Sequence, residues 1–170
     1  ETIIPPISSD NPAENKMRFR QAIASCEGFI KWEDRYLDSE GLEYLKAINK
    51  EKIKKIQLLT SVYHWGVNEK LLENFKQLKE DLEKDGITCE MQVIMTKDLH
   101  RKMHDRYILS ENLKYNVPSP TQVKFGQYSE IKITSADVPF DDWWNDPESI
   151  DIIENWDKIK KKRDSLGVKY

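Results

Sequence analysis

Cysteine is nearly absent: Cys26 and Cys89 are the only two in 170 residues, and both sit in apolar patterns. A disulfide framework is excluded, and the pair reads as buried, reduced thiols. Glycine is scarce as well. The six glycines are scattered, with no G-x-G-x-x-G and no G-x-x-x-x-G-K. Phosphate binding or nucleotide hydrolysis by a glycine-rich loop is therefore not supported. No apolar run approaches the ~20 residues of a membrane span, and no signal peptide is visible. Neither sign of charge dominates, with 27 Lys and Arg against 30 Asp and Glu and a net charge of −3. Wholesale coating of nucleic acid is disfavoured, while a local basic patch remains open.

What is present suits a folded domain. Hydrophobic residues make up 38% and charged residues 34%. A chain of this length buries roughly 70% of its unfolded surface without a metal or disulfide staple. Residues 1–12, punctuated by Pro5, Pro6 and Pro12, read as a tether. Residues 13–165 read as one domain. A chain opening Glu1-Thr2-Ile3 reads as part of a larger protein, expected inside the cell and in the cytoplasm.

The apolar periodicity alternates in kind. Ser9 or Asp10 is placed to cap a short helix carrying Met17, Phe19 and Ile23. Phe29–Trp32 reads as a strand, and Asp38 or Ser39 then caps a helix with Leu42, Leu45 and Ile48. Ile56–Val62 has the length of a buried strand. Leu71, Leu72, Phe75, Leu78 and Leu82 stripe a long helix that stops at Gly86. Ile87–Met95 is a third strand. The second half changes character. Arg106–Leu109, Val123–Phe125 and Glu130–Thr134 read as short strands with no helix between them. Pro147 marks the start of a last helix with Ile150, Ile153, Trp156 and Ile159. The expected fold class is α/β, a mixed and mainly parallel sheet flanked by helices, with antiparallel strands in the C-terminal half and a C-terminal helix.

Chemistry concentrates in Lys97–Arg106, which holds two of the three histidines. His100 and His104 have helical i, i+4 spacing. A zinc site would need a third ligand, and a metalloprotease would need Glu where Arg101 stands. A cysteine nucleophile would have to leave its apolar setting. No metal and no cofactor are expected. His104 to Glu111 has the form H-x-R-x4-E. On a strand, His104 and Arg106 would share a face. Imidazole and guanidinium together suit phosphate, the first attacking phosphorus or donating to oxygen, the second binding two oxygens at once.

This motif resembles the phospholipase D superfamily signature H-x-K-x4-D, mapped onto His104, Arg106 and Glu111. Asp34-Arg35-Tyr36-Leu37 is similar to a segment of its degenerate members. The closer likeness is to the His-Asp-Arg variants, among them the C-terminal domain of proteins with a microtubule-interacting-and-transport module. The resemblance covers roughly residues 13 to 135 and implies a phospholipase D-like sheet. Arg106 stands for the family's Lys and Glu111 for its Asp. The family's downstream Gly-Ser-x-Asn segment is not matched; Gly126-Gln127-Tyr128-Ser129 is the nearest stretch, at the wrong spacing. The family's enzymes join two histidine motifs, and this chain carries one.

The expected function is a non-hydrolytic phosphate-recognising or protein-interaction module. Arg106 is its main clamp and His104 the partner, with Lys102, Arg101 and His100 around them. The ligand would be a nucleic-acid backbone or a phospholipid headgroup. The rival is a homodimeric phosphodiesterase or nuclease with His104 as nucleophile, helped by Arg106 and Glu111. A protein-binding scaffold is the third reading. Plainer accounts stand beside these. His104 can be a structural histidine bonded to Asp105 or backbone, and the basic stretch a solvated loop. Trp143-Trp144 can pack a C-terminal helix onto the core. The lysines of the last helix can simply complement its dipole.

Overall fold

The computed structural model describes residues 12–125 and 130–167. The expected tether, the caps Ser9 and Asp10 and the Gly126–Ser129 segment lie wholly or almost wholly outside them. In chain order the elements are α1 (Pro12–Ala24), β1 (Gly28–Glu33), α2 (Ser39–Tyr44), β2 (Ile53–Ser61), α3 (Glu69–Lys84), β3 (Thr88–Ile94), α4 (Lys97–Lys102), β4 (Tyr107–Leu109), β5 (Lys114–Asn116), α5 (Pro120–Lys124), β6 (Lys132–Ile133), α6 (Phe140–Trp144), β7 (Ser149–Asp151) and α7 (Trp156–Ser165).

The helices start where side chains satisfy their free N–H groups. Asp38 Oδ1 accepts from the N–H of Glu40 and Gly41. Asn68 Oδ1 accepts from Leu71 N at 3.0 Å. The α3 stripe buries Leu71, Leu72, Phe75 and Leu82. It ends at Gly86, whose φ of 77° suits a residue without Cβ.

One sheet of seven strands has the order β6-β5-β4-β1-β2-β3-β7. Strands β1, β2 and β3 are parallel, with α2 and α3 as crossovers packed on each other. The other pairs, β1–β4, β3–β7, β4–β5 and β5–β6, are antiparallel. The expected α/β class with a mixed, helix-flanked sheet and C-terminal helix is observed. "Mainly parallel" is not: antiparallel pairs outnumber parallel ones, because short hairpin additions extend the sheet beyond β1. On one face Phe19, Trp32, Leu45, Ile56, Leu58, Phe75 and Ile159 form the main core. On the other, Leu99 and Met103 with Phe140 and Trp144 cover Leu59, Ile94 and Leu109.

Three local expectations are corrected. Val123–Phe125 is not a strand. Ser119 and Gln122 form a reciprocal capping box around Pro120 and wind the segment into α5. Pro147 does not start a helix. Asp146 takes the N–H of Glu148 and Ser149 into a turn, β7 follows, and α7 starts at Trp156. Trp144 does pack onto the sheet, stacked on Phe140 with centroids 5.7 Å apart, but from α6 rather than from the last helix. Among the described residues, no helix is long and apolar enough to cross a membrane.

Candidate functional site

The strand order reverses at β1. Its partner on one side is β2, and on the other β4, which arrives after β3 and α4. In open α/β sheets such a reversal leaves a crevice outside the carboxyl ends of the strands. The chain leaving β1 there is Asp34-Arg35-Tyr36. Asp34 Oδ1 accepts from Tyr36 N at 2.8 Å, and Leu37 N donates to Asp34 O. This turn buries Leu37 and leaves Tyr36 at 37% exposure.

Two arginines flank the Tyr36 ring. Arg35 Cζ lies 5.1 Å and Arg106 Cζ 5.8 Å from its centroid. Arg35 Nη1 donates to His100 O at 3.3 Å. Arg106 Nε is 3.5 Å from Asp34 Oδ1, and its Nη1 donates to Gln122 Oε1 at 3.4 Å. An open cavity of about 500 Å³ lies beside Arg106, lined also by Asn116, Gln122, Thr134 and the Lys132–Glu130 ion pair, 2.8 Å between Nζ and Oε2. Asp34 Oδ2, Arg35 Nε and both carboxyl oxygens of Glu33 are buried without a hydrogen-bond partner among the described residues. Burial pushes the Asp34 carboxyl up to about 7, opposed by the Tyr36 N–H and Arg106. Burial also holds Glu33 well above the usual carboxylate range.

Two histidines stand edge-on to Tyr36, His64 at 6.0 Å and His100 at 6.2 Å between centroids. Thr60 Oγ1 donates to Leu37 O, so it accepts from His64 Nε2 at 3.1 Å. Gly66 N donates to His64 Nδ1 at 3.1 Å. This pairing fits only the neutral ring. Burial, and then His100, lower the His64 pKa to about 3. His100 Nδ1 is 2.7 Å from Ser61 Oγ. Burial, then Arg35, Lys97 and Arg101, lower its pKa to about 4. Tyr63 continues the row, 5.4 Å from His100, and carries Lys97 Nζ at 4.8 Å and Lys162 Nζ at 5.9 Å.

The H-x-R-x4-E residues are not brought together. His104 and Arg106 precede β4, which starts at Tyr107, so they do not share a strand face; the Val117 N–H donates to Arg106 O beside the β4–β5 pair. The His104 side chain is 84% exposed, with Nδ1 3.8 Å from Asp105 Oδ1. Glu111 lies at the opposite end of the sheet, bonded by its N–H to Glu27 O and pressed against Gly28. Arg101 and Lys102 are exposed on α4, whereas His100 turns inward to Ser61. His100 and His104 therefore meet different surroundings. The site instead gathers Arg35, Tyr36, Tyr63, His64 and Lys97 around Arg106 and His100. The signal available in sequence was the Asp34–Leu37 segment placed directly after a strand.

No family model matches the chain, and no curated protein matches it. Among solved structures it is similar to TrmBL2, an archaeal chromatin protein whose structure is described as showing a novel mode of DNA binding. The identity is 12% and the TM-score 0.48, over 82% of this chain and 51% of that one. The chain spans about half the length of that structure. A likeness of this size bears on neither the site nor an activity.

Proposed function

We propose that the domain is a phosphate-recognising module, built on a phospholipase D-like sheet, that holds its ligand without hydrolysing it. The observation that carries this reading is the Arg35–Tyr36–Arg106 arrangement at the strand reversal, beside an open polar cavity. Guanidinium groups bind paired oxygens, and their partial burial strengthens the attraction to an anion. Hydrolysis would need a histidine free to attack. His64 and His100 are buried, His64 bonded through both ring nitrogens to Thr60 and Gly66 and His100 through Nδ1 to Ser61, and His104 points away into solvent. The ligand carries a phosphate, as a nucleic-acid backbone or a lipid headgroup does.

Calorimetry with a dinucleotide and with glycerophosphate tests the site and separates the two sources. Arg106→Gln is expected to weaken binding at least about tenfold, the loss of a charge-assisted pair. His104→Ala is expected to leave affinity unchanged. Hydrolysis of a phosphodiester that vanishes in His104→Ala and rises with the square of protein concentration would establish the dimeric enzyme instead. It would use the exposure of His104 to a second copy. Absence of anion binding altogether would leave a protein-binding scaffold.

A further inference from the structure

Outside the Arg35–Arg106 pair, the largest unassigned feature is the lysine-rich α7. Its cations fall into two sets. Lys160 Nζ lies 3.7 Å from Glu69 Oε1, and Arg163 binds Glu69, Asp164 and the carbonyl of Val67. These clasp the start of α3 and are structural. Lys158, Lys161 and Lys162 make no ion pair among the described residues. With Met95, Glu148 and Ser165 they line a shallow groove of about 350 Å³. Lys162 then reaches Tyr63, where Lys97 of α4 meets it. Glu148 beside the lysines and Asp98 beside Lys97 are the nearby carboxylates.

Two cationic ends therefore face one another across a row of neutral rings. Arg35 and Arg106 flank Tyr36 at one end. His100 follows at 6.2 Å and Tyr63 at a further 5.4 Å, and Lys97 and Lys162 close the row. Tyr36 is 37% exposed. A lone phosphate fills one end. A ligand with phosphates in series fills both, and of the rings between them the exposed Tyr36 offers a stacking face while Tyr63 is half-buried and His100 buried beneath the path. The geometry points to a single strand of nucleic acid running from Arg35–Arg106 across this row to Lys97, Lys162 and the α7 groove. This inference rests on the phosphate reading of the Arg35–Arg106 end.

Fluorescence anisotropy with a labelled dinucleotide and a single strand of about twelve nucleotides tests it. The longer strand is expected to bind at least about tenfold more tightly and with a steeper salt dependence. Lys161→Gln combined with Lys162→Gln in the α7 groove is expected to abolish that advantage and to leave the dinucleotide unaffected. The double variant should also lower the salt slope by roughly 0.7 for each phosphate no longer neutralised. Lys160→Gln, which touches only the Glu69 clasp, is expected to change neither. Equal affinity for both lengths overturns the proposal, as does equal weakening of both in the double variant. Tighter, lysine-dependent binding to phosphatidylserine vesicles than to the strand also overturns it, in favour of a membrane surface. If the dinucleotide fails while the long strand binds through Lys161 and Lys162, the Arg35–Arg106 reading falls and the track from that end falls with it; a dinucleotide that binds with no gain from length overturns the track alone.

Discussion

Asp34→Asn probes the site and the fold together. Asp34 is fully buried, and burial pushes its carboxyl up to about 7 from an ordinary value of 3.8. The charged groups acting on it are Arg106 and Arg35, which favour the carboxylate, and Asp38, which opposes it. Glu33 beside it is also held toward its protonated form, with Asp34 and Asp105 adding to burial. Between the two Asp34 values the native state keeps a proton that the unfolded chain has lost. Its contribution to stability is therefore full below pH ~4, falls as pH rises to ~7, and is flat above. Between pH 5 and pH 8 this one group should cost wild type about 3 kcal/mol. Asparagine does not titrate, so the variant should gain about 3 kcal/mol on wild type over that interval. Any constant offset from the substitution cancels in the difference. Urea unfolding at the two pH values measures it. The same substitution releases Arg106 from a carboxylate 3.5 Å away. Wild-type affinity for a phosphodiester, whose charge is constant in this range, should fall as pH passes 7, and the variant's should not. A stability difference that moves by less than ~1 kcal/mol between the two pH values refutes the reasoning. It would mean that Arg106 keeps Asp34 ionised throughout.

His64 titrates in the opposite sense. Burial lowers its pKa to about 3, so its contribution is lost as pH drops below 6.5. At pH 5 the cost is about 2 kcal/mol, and His64→Gln should show a correspondingly shallower acid limb in denaturant titrations. Gly28→Ala should destabilise by about 1–3 kcal/mol, because φ is 77° and a Cβ would strike Glu111. Adding Glu111→Ala should recover only part of the loss in thermal melts, since the backbone strain persists. Ser119→Ala breaks the α5 capping box and should cost about 1 kcal/mol in urea unfolding.

The front half of the fold was legible because each element buries one face. The Leu71–Leu82 stripe and the Ile56–Val62 run reported their period and length directly, and Asp38 and Gly86 punctuated them. The back half was not, because its strands are two or three residues long and carry no period to read. Val123–Phe125 looked β-rich, yet a local hydrogen bond from Gln122 N to Ser119 Oγ decided its form. The site was half legible. Arg106 and His100 stand out in the basic stretch of sequence and stand in the site. His104 and Glu111 are tied to Arg106 only by spacing along a strand, and that strand starts at Tyr107 and carries Glu111 to the far end of the sheet. Arg35 and Tyr63 come from separate stretches of chain and both meet His100 only through the strand order.

The two outermost strands have a bearing on self-association. β6 has two residues, one of them Lys132, and β7 has three and ends on Asp151. Edges so short and charged offer another chain little backbone to pair with. The long strands β1, β2 and β3 keep both of their sides occupied within the sheet. Ribbon-to-ribbon stacking into fibrils is thus guarded against at both flanks. A homodimer, if one forms, is not built by pairing these two edges.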